Sequence, residues 1–96
     1  MSVELTLESD LKNAVAAVST ALTALRHDPR STAVRHALDR ATDAVSALEP
    51  DLTAEVLKRL VASIADCHRE GVTHSRRLAV CHRSTRVALR LDPRWA

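Results

Sequence analysis

Two cysteines and three histidines crowd one stretch of the chain, "CHREGVTHSRRLAVCH" from Cys67 to His82. These are the residue types that zinc takes, at ligand distances of about 2.0–2.3 Å. Cys67, His74 and Cys81 stand seven apart. On one continuous helix that spacing separates them by about 10.5 Å along the axis, too far to share an ion. Gly71 interrupts the run, so Cys67, His68 and His74 could meet across a turn, but no fourth ligand is evident. Both cysteines fall on apolar helical arcs, where a thiol acts as a small hydrophobe. Their offset across an antiparallel pair also exceeds the Cα separation of about 7 Å that a disulfide tolerates. The expectation is two buried, reduced thiols, no metal and no cofactor.

Other catalytic chemistry leaves no trace. No hydrolytic triad or pair of pocket carboxylates can be picked out, and one glycine cannot build a phosphate-cradling loop. His27 and His36 fall near a turn and on a polar flank, as solvated histidines do. The sequence is read as that of a non-enzymatic protein.

Charge carries more information. Residues 1–50 hold five basic and seven acidic side chains, and residues 51–72 hold three and four. Residues 73–91 hold Arg76, Arg77, Arg83, Arg86 and Arg90 and no acid. At about 100° per residue, Arg76, Arg83, Arg86 and Arg90 share an arc of about 80°. Earlier segments offer internal partners at i,i+4, Arg35 with Asp39 and Glu55 with Arg59, whereas this one has none. Arg76 and Arg77 also occupy a first helical turn, where the helix dipole disfavours cations. Compensation is expected from Asp66 and Glu70, from Asp39 and Asp43, or from another molecule. Beside the arginines run Val80, Val87 and Leu91, turned away from the face of Leu78, Cys81 and Thr85. Arginine next to an apolar strip is a composition enriched at protein interfaces.

The elements that position these residues are helical. Leu7, Leu11, Val15, Val18, Leu22 and Leu25 recur in steps of four and three, as do Val34, Leu38, Ala41, Val45 and Leu48. Both are narrow heptad seams flanked by alanine. Leu52, Val56, Leu57, Leu60, Val61, Ile64 and Cys67 form a broader stripe. Asp28-Pro29 and Glu49-Pro50-Asp51 stop one helix and start the next, Gly71 suits a helix end, and Thr73 is a candidate N-cap. The recurrence of "LRHDPRS" at Leu25–Ser31 and "LRLDPRW" at Leu89–Trp95 is therefore read as punctuation. Helices are predicted near 7–26, 30–48, 51–70 and 73–91. The alternating segment at Val3, Leu5 and Leu7 is read as helix onset or a loose end in preference to a strand. The run "RRLAVCHRSTRVALR" lacks the turn glycine of a helix-turn-helix and keeps its apolar pattern throughout, so it reads as one helix.

Ninety-six residues suffice for one small domain, here 1–96, and not for two. Hydrophobic residues make up 46% of the chain, yet Trp95 is the only aromatic, so the core must come from Leu, Val and Ala on closely packed helices. The fold class predicted is all-α, a compact antiparallel four-helix bundle built from two helical hairpins. No apolar run approaches the roughly 18 residues of a membrane span. "MSVELTLESD" has no basic n-region of a secretory signal, so a cytoplasmic location without membrane contact is expected.

The functional reading is a small bacterial or phage protein that binds another protein and regulates or inhibits it. The candidate partner-binding residues are Arg76, Val80, Arg83, Arg86, Val87, Arg90 and Leu91. A nucleic-acid-binding transcriptional regulator using the same helix is the alternative. Against it stand a net charge of only +2, no stacking aromatics and no Asn or Gln on the helix. A third reading is a self-assembling structural subunit, in which the two heptad seams close on a second copy as a homodimer.

Overall fold

A computed structural model describes residues 3–95. It is an all-α four-helix bundle: α1 (Val3–His27), α2 (Thr32–Ser46), α3 (Leu52–Glu70) and α4 (Arg76–Leu91). The described residues contain no strand, and Val3–Leu7 belongs to α1, so the alternating segment is helical. α4 is one uninterrupted helix, as its apolar pattern requires.

The helix ends are set by chemistry that the proline signals located to within a few residues. Asp28 is not the N-cap of α2. Its carboxylate accepts the Arg30 N–H at 3.1 Å, closing a turn, and Ser31 caps α2 by accepting from the Ala33 N–H at 3.0 Å. Asp51 caps α3, accepting from the Ala54 N–H at 2.8 Å. At the other end of α3, Gly71 adopts φ 70, and the N–H groups of Gly71 and Val72 bond back to the carbonyls of His68 and Cys67. A left-handed residue of this kind favours glycine. Ser75, not Thr73, caps α4, accepting from the Leu78 N–H at 3.0 Å. The chain leaves Gly71 extended, so helical geometry resumes only after Ser75.

The expected seams make most of the core; Val15 and Leu48 are half-buried against it, and the Leu7 side chain lies outside the described residues. Leu11, Val18, Leu22 and Leu25 of α1 meet Val34, Leu38, Ala41 and Val45 of α2, and all eight are buried. The seams thus close on each other within one chain. Ala14, Ala21 and Ala41 are fully buried, which lets the two helices approach closely. α3 adds Leu57, Leu60, Ile64 and Cys67, and α4 adds Leu78 and Leu89. α3 packs against all three other helices. No Cα of α4 comes within 8 Å of α1 or α2. The molecule is therefore an α1–α2 hairpin and an α3–α4 hairpin joined through α3, with the α1–α4 side left open.

Both Leu-Arg-x-Asp-Pro-Arg copies fasten an end of α3. In the first, the Pro29 carbonyl lies 2.7 Å from His68 Nδ1, and the Arg30 guanidinium lies over Gly71. In the second, Asp92 ends α4 and is buried. It accepts from Thr53 Oγ1 at 2.7 Å, from the Arg94 N–H at 2.9 Å and from the Arg94 guanidinium at 2.6 Å, while Arg94 also reaches Asp51 at 2.6 Å. The Arg94 hydrogen bonds, helped by Thr53, hold the Asp92 carboxyl well below its usual 3.8, against the opposing effect of burial. A lowered pKa means that this carboxylate stabilises the fold fully above about pH 4 and progressively less as pH falls below that. Asp92→Asn is expected to lower unfolding free energy at pH 7 by about 1–3 kcal/mol, measured by urea denaturation. The variant should then lose less stability than the wild type between about pH 5 and pH 2.

Candidate functional site: a cationic cleft between α1 and α4

The site follows from which face α4 buries. Leu78, Thr85, Ala88 and Leu89 turn toward α3, where the Thr85 hydroxyl lies 3.3 Å from the Val56 carbonyl. That orientation sends Arg77 to one flank, where Asp66 of α3 receives it at 3.1 Å. Arg83, Arg86 and Arg90 go to the other flank, facing the open α1 side. Val80, Val87 and Leu91 point outward, and with Leu52 they are among the most exposed large hydrophobics described.

All seven predicted partner-binding residues are exposed, but they do not form one site. Arg83, Arg86, Val87 and Arg90 line a cleft of about 540 Å³ along α4. Arg76 and Val80 do not line it. Leu91 belongs instead to a shallow region beside Leu52, Asp92 and Arg94 at the far end of the bundle. The structure also brings in Arg26 from the last turn of α1, His74 from the α3–α4 connection and His82 from α4. Sequence reasoning missed these three. Arg26 looked like part of a helix stop, and no local pattern reveals that α1 ends beside the start of α4.

Beside the cleft lies a slot of about 220 Å³. Val18 and Leu22 of α1, Leu57 and Leu60 of α3 and Leu89 of α4 give it an apolar floor. His82 and Arg86 line both spaces and so stand where slot and cleft join.

Electrostatically the cleft is one-sided. The ion pairs among the described residues use Arg59, Arg69, Arg77 and Arg94. None uses Arg26, Arg76, Arg83, Arg86 or Arg90. Glu55 and Arg59 pair at 3.7 Å as expected, whereas Arg35 and Asp39 do not come within 4 Å. Asp66 supplies part of the predicted compensation, to Arg77 alone on α4. His82 registers the imbalance. Burial, then the charges of Arg26 and Arg86, push its pKa below 6.5. An imidazole so placed is neutral at pH 7.

The thiols lie elsewhere. Cys67 is buried, with Sγ 3.6 Å from Ser75 Oγ, while Cys81 is only half-buried, with Sγ 3.1 Å from the Ser63 hydroxyl. Both are free. His68 is engaged by Pro29, and the described residues hold no cluster of three or more potential metal ligands. No described helix is long and apolar enough to cross a membrane.

Comparison of the chain with family models, with curated proteins and with solved structures gives no match.

A lowered histidine pKa weakens the folded state as pH drops, because the unfolded chain binds the proton more readily. The contribution of His82 is present above about pH 6.5 and lost as pH falls through its folded value. The His82 ring proton, followed by NMR, should titrate below 6.5. Arg26→Ala and Arg86→Ala should each move the midpoint upward, and neither should abolish the depression, because burial remains.

Proposed function

We propose that this chain is a small non-enzymatic protein that binds another protein through the α1–α4 side of the bundle and regulates or inhibits it by occupation. One observation supports this reading above the others. Arg26, Arg83, Arg86 and Arg90 line a single cleft, and no described carboxylate pairs with any of them. Like charges gathered without counter-ions oppose folding, and an anionic partner relieves that repulsion. The exposed strip of Val80, Val87 and Leu91 adjoins the arginines and extends the surface that a partner covers.

Nucleic acid fits this shape less well. A duplex would have to take α4 into its major groove, and that helix carries no Asn or Gln to read base edges. A single strand would find no aromatic ring to stack on, because Trp95 does not line the cleft. Self-assembly loses its motive, since the α1 and α2 seams are occupied by each other. A homodimer would have to use another face. A cytoplasmic setting belongs to the same reading and agrees with two unpaired thiols.

The test is charge reversal on α4. Arg83→Glu with Arg86→Glu should leave the helical circular-dichroism spectrum unchanged, because neither side chain takes part in a described ion pair or packs in the core. Recovery of the partner in an affinity pull-down should be lost, and association with the recovered partner should slow by about tenfold at low salt. The wild type should bind generic duplex DNA poorly at about 0.15 M salt. Tight DNA binding, with a log–log salt slope that drops as arginines are removed, would establish the nucleic-acid alternative instead.

A further inference from the structure

We propose that the α1–α4 cleft receives an acidic amphipathic helix of the partner protein, with carboxylates on Arg26, Arg86 and Arg90 and one bulky apolar side chain in the slot floored by Leu22, Leu57 and Leu60. The inference rests on the protein-partner reading and specifies what that partner presents. Its first support is shape. The cleft runs along α4 from His74 to Arg90, about 20–25 Å or some four helical turns. α1 and α4 nowhere approach to the 8 Å at which the other neighbouring helices meet. Two helix flanks that do not close on each other leave a groove across whose mouth a further helix can pack, ridge into groove. The groove cannot recruit an extended strand by backbone pairing, because the described fold has no strand and helix backbones are already hydrogen-bonded.

The second support is chemistry. The slot, at about 220 Å³, is smaller than the roughly 300–1,000 Å³ of a small-molecule site, and suits a single side chain. The chain's own core has no Phe or Tyr, and a bulky apolar or aromatic side chain of a partner is the kind of anchor that such a slot takes. Arg86 and Arg90 stand one helical turn apart at the rim, and Arg26 lines the same cleft from the last turn of α1, near His82. An apolar anchor flanked by acids on the same helical face answers this arrangement point for point, whereas a basic helix would meet only repulsion. His82, half-buried where slot and rim meet, reports on occupancy from either side.

The probe is a synthetic helical peptide of about five turns, carrying glutamates on both flanks of one face and a central phenylalanine. Titrated into the intact protein, it should shift the methyl resonances of Leu22, Leu57 and Leu60 and the ring proton of His82 in a saturable way. Replacing its phenylalanine by alanine should weaken binding by about tenfold or more and leave the slot methyls in place. Replacing its glutamates by lysines should abolish binding. On the protein, Ser19→Trp blocks the slot mouth from an exposed position without disturbing the core, and should weaken the phenylalanine peptide alone. Slot methyls unmoved at about millimolar peptide, or equal affinity for the alanine peptide, would overturn the proposal. If partner capture still depended on Arg83 and Arg86, the protein-partner reading would survive that result.

Discussion

Everything in this bundle depends on α3 having to be buried on three sides. A core without Phe or Tyr gains little from any one side chain, so it must gather many small contacts around a common axis. Leu57, Leu60, Ile64 and Cys67 form a narrow stripe that Thr53, Ala54, Val56 and Ser63 widen until it is too broad for one neighbour. α1 and α2 close their narrow seams on each other and present the edge of that contact to α3. α4 covers what is left. With α3 between them, α4 and α1 cannot also meet, and the open seam is the geometric remainder. The two Asp-Pro-Arg turns hold the arrangement at its ends. One places Pro29 and Arg30 against the His68–Gly71 end of α3, and the other ties Asp92 and Arg94 to Thr53 and Asp51.

The charge asymmetry of the cleft follows from the same packing. Once Leu78, Thr85 and Leu89 face α3, the register of a helix sends Arg83, Arg86 and Arg90 toward α1. The end of α1 that lines the same cleft carries Arg26, not an acid. On the opposite flank, where Asp66 is available, Arg77 is paired. One helix thus has a satisfied flank and an unsatisfied one. A merely solvated arginine row need not adjoin an apolar slot or hold a half-buried histidine in its field. The join of charge, cavity and depressed His82 separates this flank from an ordinary polar surface.

Much of this was legible in the sequence, for a local reason. Helical periodicity and breaker residues act within a few positions, so the four helices, the two seams and the arginine arc could be read directly. Helix starts were less legible, because several polar residues compete as caps. Ser31 and Ser75 displaced Asp28 and Thr73 once the turns took their actual backbone path. Tertiary adjacency was not legible at all. Nothing near Arg26 signals that it will face Arg86, and nothing near Asp92 signals that it will be buried against Thr53. The repeated Leu-Arg-x-Asp-Pro-Arg shows the limit well. Its Asp-Pro was recognised as punctuation, while the work of Arg30 and Arg94 in fastening α3 appears only when the chain is folded.

The central claim is that the arginines of the cleft repel one another in the free protein and are reserved for an anionic partner. The urea midpoint of Arg86→Glu at low ionic strength measures that repulsion directly. A glutamate there would face Arg26 and stand one turn from Arg90, so the account expects a higher midpoint than the wild type, worth about 0.5–1 kcal/mol. The gain should fade as salt is added. A midpoint equal to the wild type's, or below it, would contradict the account, because it would mean that the cluster carries no uncompensated charge for a partner to neutralise.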